Sequence, residues 1–100
     1  MKFVIIGLGN FGASLGKHLI SEGHEVIGVD NNSEHTSQLQ EHLTYVVCTD
    51  TTEEQNITQL PIDEADFAVV SIGEDVGASL TTVALIKRHY PDTKIIARGI

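Results

Sequence analysis

The first thirty residues constrain this chain more than any other stretch. Lys2-Phe3-Val4-Ile5-Ile6 reads as a short buried strand that runs into Gly7-Leu8-Gly9-Asn10-Phe11-Gly12. A helical pattern follows, and a second strand, Glu25-Val26-Ile27-Gly28-Val29, ends on Asp30. Strand, G-x-G-x-x-G, helix, strand and acid, in that order, form the dinucleotide-binding fingerprint. The glycine motif alone is weak evidence; here it has its full context. The chain is expected to bind an adenine nucleotide or dinucleotide.

Each part has a physical task. Gly7 permits the sharp turn out of the strand, and Gly9 lets backbone approach a pyrophosphate. Gly12 brings the helix close to the first strand, and Gly16, one turn on, extends that smooth face. Free N–H groups and the partial positive charge at the helix start then hold phosphate without a lysine. Asp30, 18 residues after Gly12, is placed to accept from ribose hydroxyls. The competing reading makes the glycines turn punctuation and Asp30 a helix cap. Asp30 would also repel a 2′-phosphate, and Asn31 and Asn32 supply no cation to receive one, so NADP(H) is disfavoured.

One hundred residues suffice for one domain and one core. With 41% hydrophobic and 20% charged residues, the composition is that of a soluble globular protein. The net charge of −8 and the lack of a Lys/Arg cluster argue against nucleic acid as a partner. The apolar runs are far shorter than the ~20 residues of a membrane helix, so no direct membrane insertion is expected. A strand that begins at once leaves no room for a signal peptide. Cys48 is the one cysteine, which fits a reducing cytoplasm. Its expected role is that of a small buried residue in strand three.

Further along, Phe11, Leu15, His18 and Leu19 fall at helical spacing, and Gly23 closes that helix. Asn31-Asn32-Ser33 supplies an N-cap for a helix to about His42, with Leu39 and Leu43 inward. Tyr45 to Cys48 is strand three, and a short helix from Glu53 to Leu60 stops at Pro61. Asp66 to Ile72 is strand four, apolar and expected to be buried on both faces. A helix from about Val76 to His89 places Val76, Leu80, Val83 and Ala84 on one side. Strand five is Lys94 to Arg98. This strict β-α alternation predicts a Rossmann-like doubly wound α/β fold, a parallel sheet of order 3-2-1-4-5 with helices on both faces. Residues 1–100 read as one domain, truncated before a sixth strand and a further lobe. Ligand belongs over strands one and four, where the order reverses.

Three later motifs stand in register with the fingerprint: Thr49-Asp50-Thr51-Thr52, Val69-Val70-Ser71-Ile72-Gly73-Glu74-Asp75 and Ile95-Ile96-Ala97-Arg98. Together they resemble the N-terminal (TrkA-N) lobe of regulator-of-potassium-conductance domains, the cytoplasmic nucleotide-binding subunits of Trk- and Ktr-type potassium uptake systems. The resemblance spans essentially the whole chain. It implies binding of NAD(H), ATP or ADP, assembly into dimers and octameric rings, and gating of a separate membrane channel. It also implies a location at the inner face of the cell membrane, held there by that partner. By position, Gly7, Gly9, Asn10, Phe11 and Gly12 hold phosphates, while Asp30 and Asn31 hold a ribose. Asp50 and Thr51 lie beside the adenine, Ser71, Ile72, Gly73 and Glu74 line the opposite wall, and Arg98 closes the far side. Two departures stand out. Asn10 replaces an arginine that meets a terminal phosphate in Ktr-like members, which weighs against ATP. Thr49-Asp50-Thr51 replaces the usual Gly-Asp-Ala.

The residues themselves leave alternatives open. Asp50 or Thr51 with Glu53 and Glu54 looks like a capping box, which is compatible with an adenine contact. Glu74 and Asp75 read first as first-turn acids that complement a helix dipole; the sharper alternative is that Glu74 needs a divalent cation to sit near phosphate. An ion pair is the ordinary reading of Arg98. His18, His24, His35, His42 and His89 show no i,i+4 pair, so no metal site is expected. Two functions follow: a ligand-sensing regulatory domain without catalysis, or the cofactor half of an NAD-dependent dehydrogenase. No histidine is expected beside an acid at a strand's carboxyl end, which favours the first.

Overall fold

A computed structural model describes residues 1–98. Five strands, β1 (Lys2–Ile6), β2 (Glu25–Asp30), β3 (Tyr45–Cys48), β4 (Phe67–Val70) and β5 (Lys94–Ala97), form one sheet of order β3-β2-β1-β4-β5. Every pairing is parallel. Four helices connect them: α1 (Asn10–Ser21), α2 (Ser33–Leu39), α3 (Glu54–Ile57) and α4 (Val76–His89), with a 3-10 turn at Ile62–Glu64. The order 3-2-1-4-5 and the doubly wound arrangement match the sequence expectation.

Side-chain alternation along the central strands builds two cores, one on each face. Val4, Ile6, Ile27, Val29, Ala68 and Val70 face Ile57 and Ile86 from α3 and α4. Ile5, Val26 and Val69 face the other way, toward Leu8, Leu39 and Leu43, with Leu15 and Leu19 of α1 packed alongside. Helices on both faces explain why β1 and β4 are apolar throughout.

Several boundaries differ from expectation. Helix α2 ends at Leu39 instead of His42, because the chain leaves the helix to set Leu43 onto two glycines. A Cβ on Gly28 would lie 2.7 Å from Leu43, and one on Gly16 would lie 2.9 Å from it. Helix α3 covers only Glu54–Ile57, and β4 and β5 are each shorter than expected. Cys48 is exposed, not buried: β3 is the sheet edge, and its Tyr45 and Cys48 lie open to solvent.

The buried face of α4 is also different. Ser79, Thr82 and Ile86 point inward, while Val76 and Leu80 are 49% and 51% exposed and Ala84 is open. Val83 alone of the expected set packs against the core. Two contacts fix this rotation of the helix: the Asp75 carboxylate caps it through Ala78 N–H at 2.9 Å, and Thr82 is drawn inward by another hydroxyl.

Candidate functional site

The sheet order reverses between β1 and β4, and the loops there carry the candidate site. Gly7 leaves β1 with φ +99°, the left-handed region in which a side chain is strained. Its N–H donates to Val29 O at 2.8 Å, and a Cβ there would collide with the carbonyl of Ser71. Ser71 is buried beside it, its N–H donating to Ile6 O at 2.8 Å and its hydroxyl to Gly7 O at 3.0 Å. Gly12 presses α1 against this turn so closely that a Cβ would overlap Gly7 O. Gly7, Ser71 and Gly12 are thus explained by packing.

Gly9 is different. It is the N-cap residue of α1 with φ −71°, a conformation open to any residue, and no atom stands within 4 Å of where its Cβ would be. Neither backbone nor packing calls for glycine, so what glycine preserves at this position is the empty space in front of the helix start.

That space belongs to an open cleft of about 250 Å³. Gly7, Gly9, Asp30, Asn31, Asp50, Thr51, Ser71, Ile72 and Gly73 line it, together with Ile6, Asn32, His35, Thr49, Thr52, Asp75 and Ala78. Five expected residues lie elsewhere. Asn10 borders a shallow groove between α1 and α2, and Gly12 is buried against the loop. Phe11 and Arg98 sit together, the guanidinium 4.2 Å from the ring centroid, so an aromatic face and not an acid partners Arg98. Glu74 is exposed beyond the cleft, and Asp75 takes the capping position.

Asp30 ends β2 with its side chain only 10% exposed. Its Oδ2 accepts Leu8 N–H at 2.7 Å and lies 3.1 Å from His35 Nδ1, and its Oδ1 accepts Asn32 N–H at 2.8 Å. A histidine therefore does adjoin an acid at a strand's carboxyl end, contrary to expectation. The signal was present in the sequence. Asn32, accepting from Glu34 N–H and His35 N–H, starts α2 so that its first turn sets His35 above Asp30.

Asp50 makes no capping box. Its Oδ1 accepts both Thr52 N–H at 2.9 Å and the Thr52 hydroxyl at 2.7 Å, and these bonds hold its carboxyl below the usual carboxylate range. Helix α3 begins at Glu54 without a side-chain cap. Thr51 is buried and its hydroxyl pairs with Thr82 of α4 at 2.9 Å, which joins the cleft floor to that helix. The cleft wall thus carries three carboxylates, Asp30, Asp50 and Asp75, and one histidine; among the described residues no lysine or arginine lines it.

A parallel sheet of order 3-2-1-4-5, a glycine turn at its switch point and an acid ending β2 define a dinucleotide-binding type of α/β domain. Residues 3–99 match the TrkA-N domain family, and the chain belongs to it. It is 38% identical over 86 residues to Ktr system potassium uptake protein A of Bacillus subtilis, covering 86% of this chain and 39% of that protein. It is 34% identical over 99 residues to a Trk system potassium uptake protein TrkA homolog of Methanothermobacter thermautotrophicus, covering 98% of this chain and 45% of that one. The chain therefore spans less than half the length of these relatives. Among solved structures, the TrkA-N domain of the Escherichia coli inner membrane protein ybaL superposes with TM-score 0.83 at 21% identity, over 96% of this chain and 70% of that one. The Shewanella denitrificans Kef CTD in AMP-bound form superposes with TM-score 0.79 at 23% identity, over 97% and 58%. Both share the fold.

Proposed function

We propose that this chain is a nucleotide-sensing regulatory domain that binds NAD(H) or ATP/ADP and controls a separate potassium channel or transporter subunit in the membrane. The observation that carries the reading is the open space at Gly9, the N-cap of α1, which lines the cleft and would offer a phosphate the free N–H groups and dipole of a helix start. Phosphates sit there, between Gly7 and Gly9 on one side and Ser71, Ile72 and Gly73 on the other. Asn10, Phe11 and Gly12 complete the first turn behind them. Asp30 and Asn31 take the ribose, and Asp50 and Thr51 the adenine side. Glu74 and Arg98 stand outside the cleft and contribute only if the ligand extends past it or the loops close. With three carboxylates and no lysine or arginine on the wall, ligands of low negative charge such as NAD(H) are favoured over ATP, and NADP(H) is disfavoured.

The potassium-transport role rests on family membership and on the names of the Ktr and Trk relatives. Arogenate dehydrogenase of Synechocystis has the same fold, with TM-score 0.73 at 21% identity, but fold alone does not carry catalysis. Asp30 is engaged by two backbone N–H groups and a histidine, which leaves one lone-pair direction on Oδ1 for a ligand hydroxyl. No described helix is long and apolar enough to cross a membrane. In this reading control passes through contact with a membrane subunit on its cytoplasmic side. The domain works as a homodimer, or in a larger ring. Exposed Val76 and Leu80, one turn apart on α4, supply an apolar patch for that contact.

Calorimetry with NADH, ADP, ATP and AMP tests the ligand. Micromolar binding that Gly9→Val abolishes is expected. Absence of binding by every nucleotide overturns the reading.

A further inference from the structure

We propose that His35 is a specificity-determining residue at the ribose end of the cleft, its charge setting how strongly the domain rejects a 2′-phosphate. The inference rests on the nucleotide reading above. An ionised carboxylate only accepts hydrogen bonds and offers about four lone-pair directions. Oδ2 of Asp30 already serves Leu8 N–H and His35 Nδ1, and Oδ1 serves Asn32 N–H, which leaves one direction on Oδ1 for a ribose hydroxyl. For His35 to bond this carboxylate, Nδ1 must carry the hydrogen. Gain of a proton then falls on Nε2, so the Asp30 contact survives while the ring becomes a cation.

The consequence is electrostatic. On the cleft side His35 shares a wall with Asp30 of β2, Asp50 of the β3–α3 loop and Asp75 at the start of α4; on the groove side it shares a wall with Lys17 of α1. Glu34 precedes it on its own helix. With a neutral ring the wall presents three carboxylates to a 2′-phosphate. With a protonated ring, a cation 3.1 Å from Asp30 offsets the charge of that carboxylate. His35 is 41% exposed, so solvent protons reach it. Histidine is the side chain whose charge ordinarily changes between pH 5 and 8. NADH, which has no 2′-phosphate, feels this change far less than NADPH.

The test is the ratio of the NADPH and NADH dissociation constants, measured by ligand fluorescence at pH 8 and pH 6. In the wild-type chain the ratio should fall by about fivefold or more at the lower pH, the size expected of one charge at close range near a wet surface. His35→Gln keeps a donor without charge and should show only the smaller fall due to the ionisation of the phosphate itself. His35→Lys, always cationic, should hold the ratio low at both values. Melting curves for each variant check that the fold is kept. An equal fall in wild type and His35→Gln, or a wild-type ratio at pH 8 in the lysine variant, overturns the proposal and leaves nucleotide binding standing. Failure of NADPH to bind at either pH overturns this proposal alone, and failure of NADH, ADP, ATP and AMP alike to bind the wild-type chain overturns both.

Discussion

The Ser71 hydroxyl donates to the carbonyl of Gly7 across 3.0 Å, so the end of β4 is tied to the first turn after β1 at the switch point of the sheet. Both groups are buried, and the hydroxyl also approaches Ile6 O at 3.4 Å. Ser71→Ala leaves Gly7 O without this partner. A loss of about 1–3 kcal/mol is expected in urea unfolding, together with weaker nucleotide binding as the loop loosens.

Gly9 and Gly12, three residues apart in the loop, should behave oppositely on substitution, and the comparison separates packing from ligand access.

Gly12→Ala drives a Cβ into Gly7 O, backbone that cannot swing aside, so a loss of about 3 kcal/mol is expected. Gly9→Val enters open space and should change stability by less than about 1 kcal/mol while abolishing nucleotide binding. Thermal melts with and without NADH check both. Unchanged affinity in Gly9→Val removes the phosphate site from the glycine loop.

Thr51 and Thr82 form a buried hydroxyl pair between the cleft floor and α4. Thr82→Val strands the Thr51 hydroxyl and should cost about 1–3 kcal/mol. The double variant Thr51→Val with Thr82→Val should recover part of that loss. A double-mutant cycle in urea measures the coupling, and simple additivity would show that the pair contributes nothing of its own.

Tyr90 donates its hydroxyl to Ile57 O at 2.9 Å and to Leu60 O at 3.2 Å, and burial, with Asp63 nearby, pushes its ionisation upward. A phenol with a raised folded-state value gives full stability below its unfolded value of about 10. That stability is lost as pH rises past 10 through the folded value. Denaturant midpoints should therefore fall above pH 10, and Tyr90→Phe should lower stability by about 1 kcal/mol at pH 7 and flatten the alkaline slope.

Self-association through α4 is the remaining expectation. Leu80, 51% exposed beside Val76, should lie in the dimer contact, so Leu80→Glu should yield monomers by light scattering across a concentration series. A wild-type chain that stays monomeric at high micromolar concentration removes this face from the assembly.

The sequence by itself determined the order of elements, the strand order 3-2-1-4-5 and the place of the cleft. These follow from local pattern: apolar runs short enough for strands, glycines where backbone must pass closely, and Asn32 and Asp75 where helices begin. Right-handed crossovers left one sheet order for that alternation. Only tertiary structure decided the rest, because each remaining feature depends on which surfaces meet across the sheet. Leu43 finds room only over Gly16 and Gly28, and this shortens α2. The rotation of α4 follows from Thr82 meeting Thr51, against its own hydrophobic pattern, so Leu80 faces out. Cys48 is exposed because β3 falls at the sheet edge, and Arg98 settles over Phe11 because the end of β5 meets the first turn of α1. His35 reaches Asp30 because a capped helix turns back over the strand end, a contact between side chains that spacing rules for paired histidines do not register.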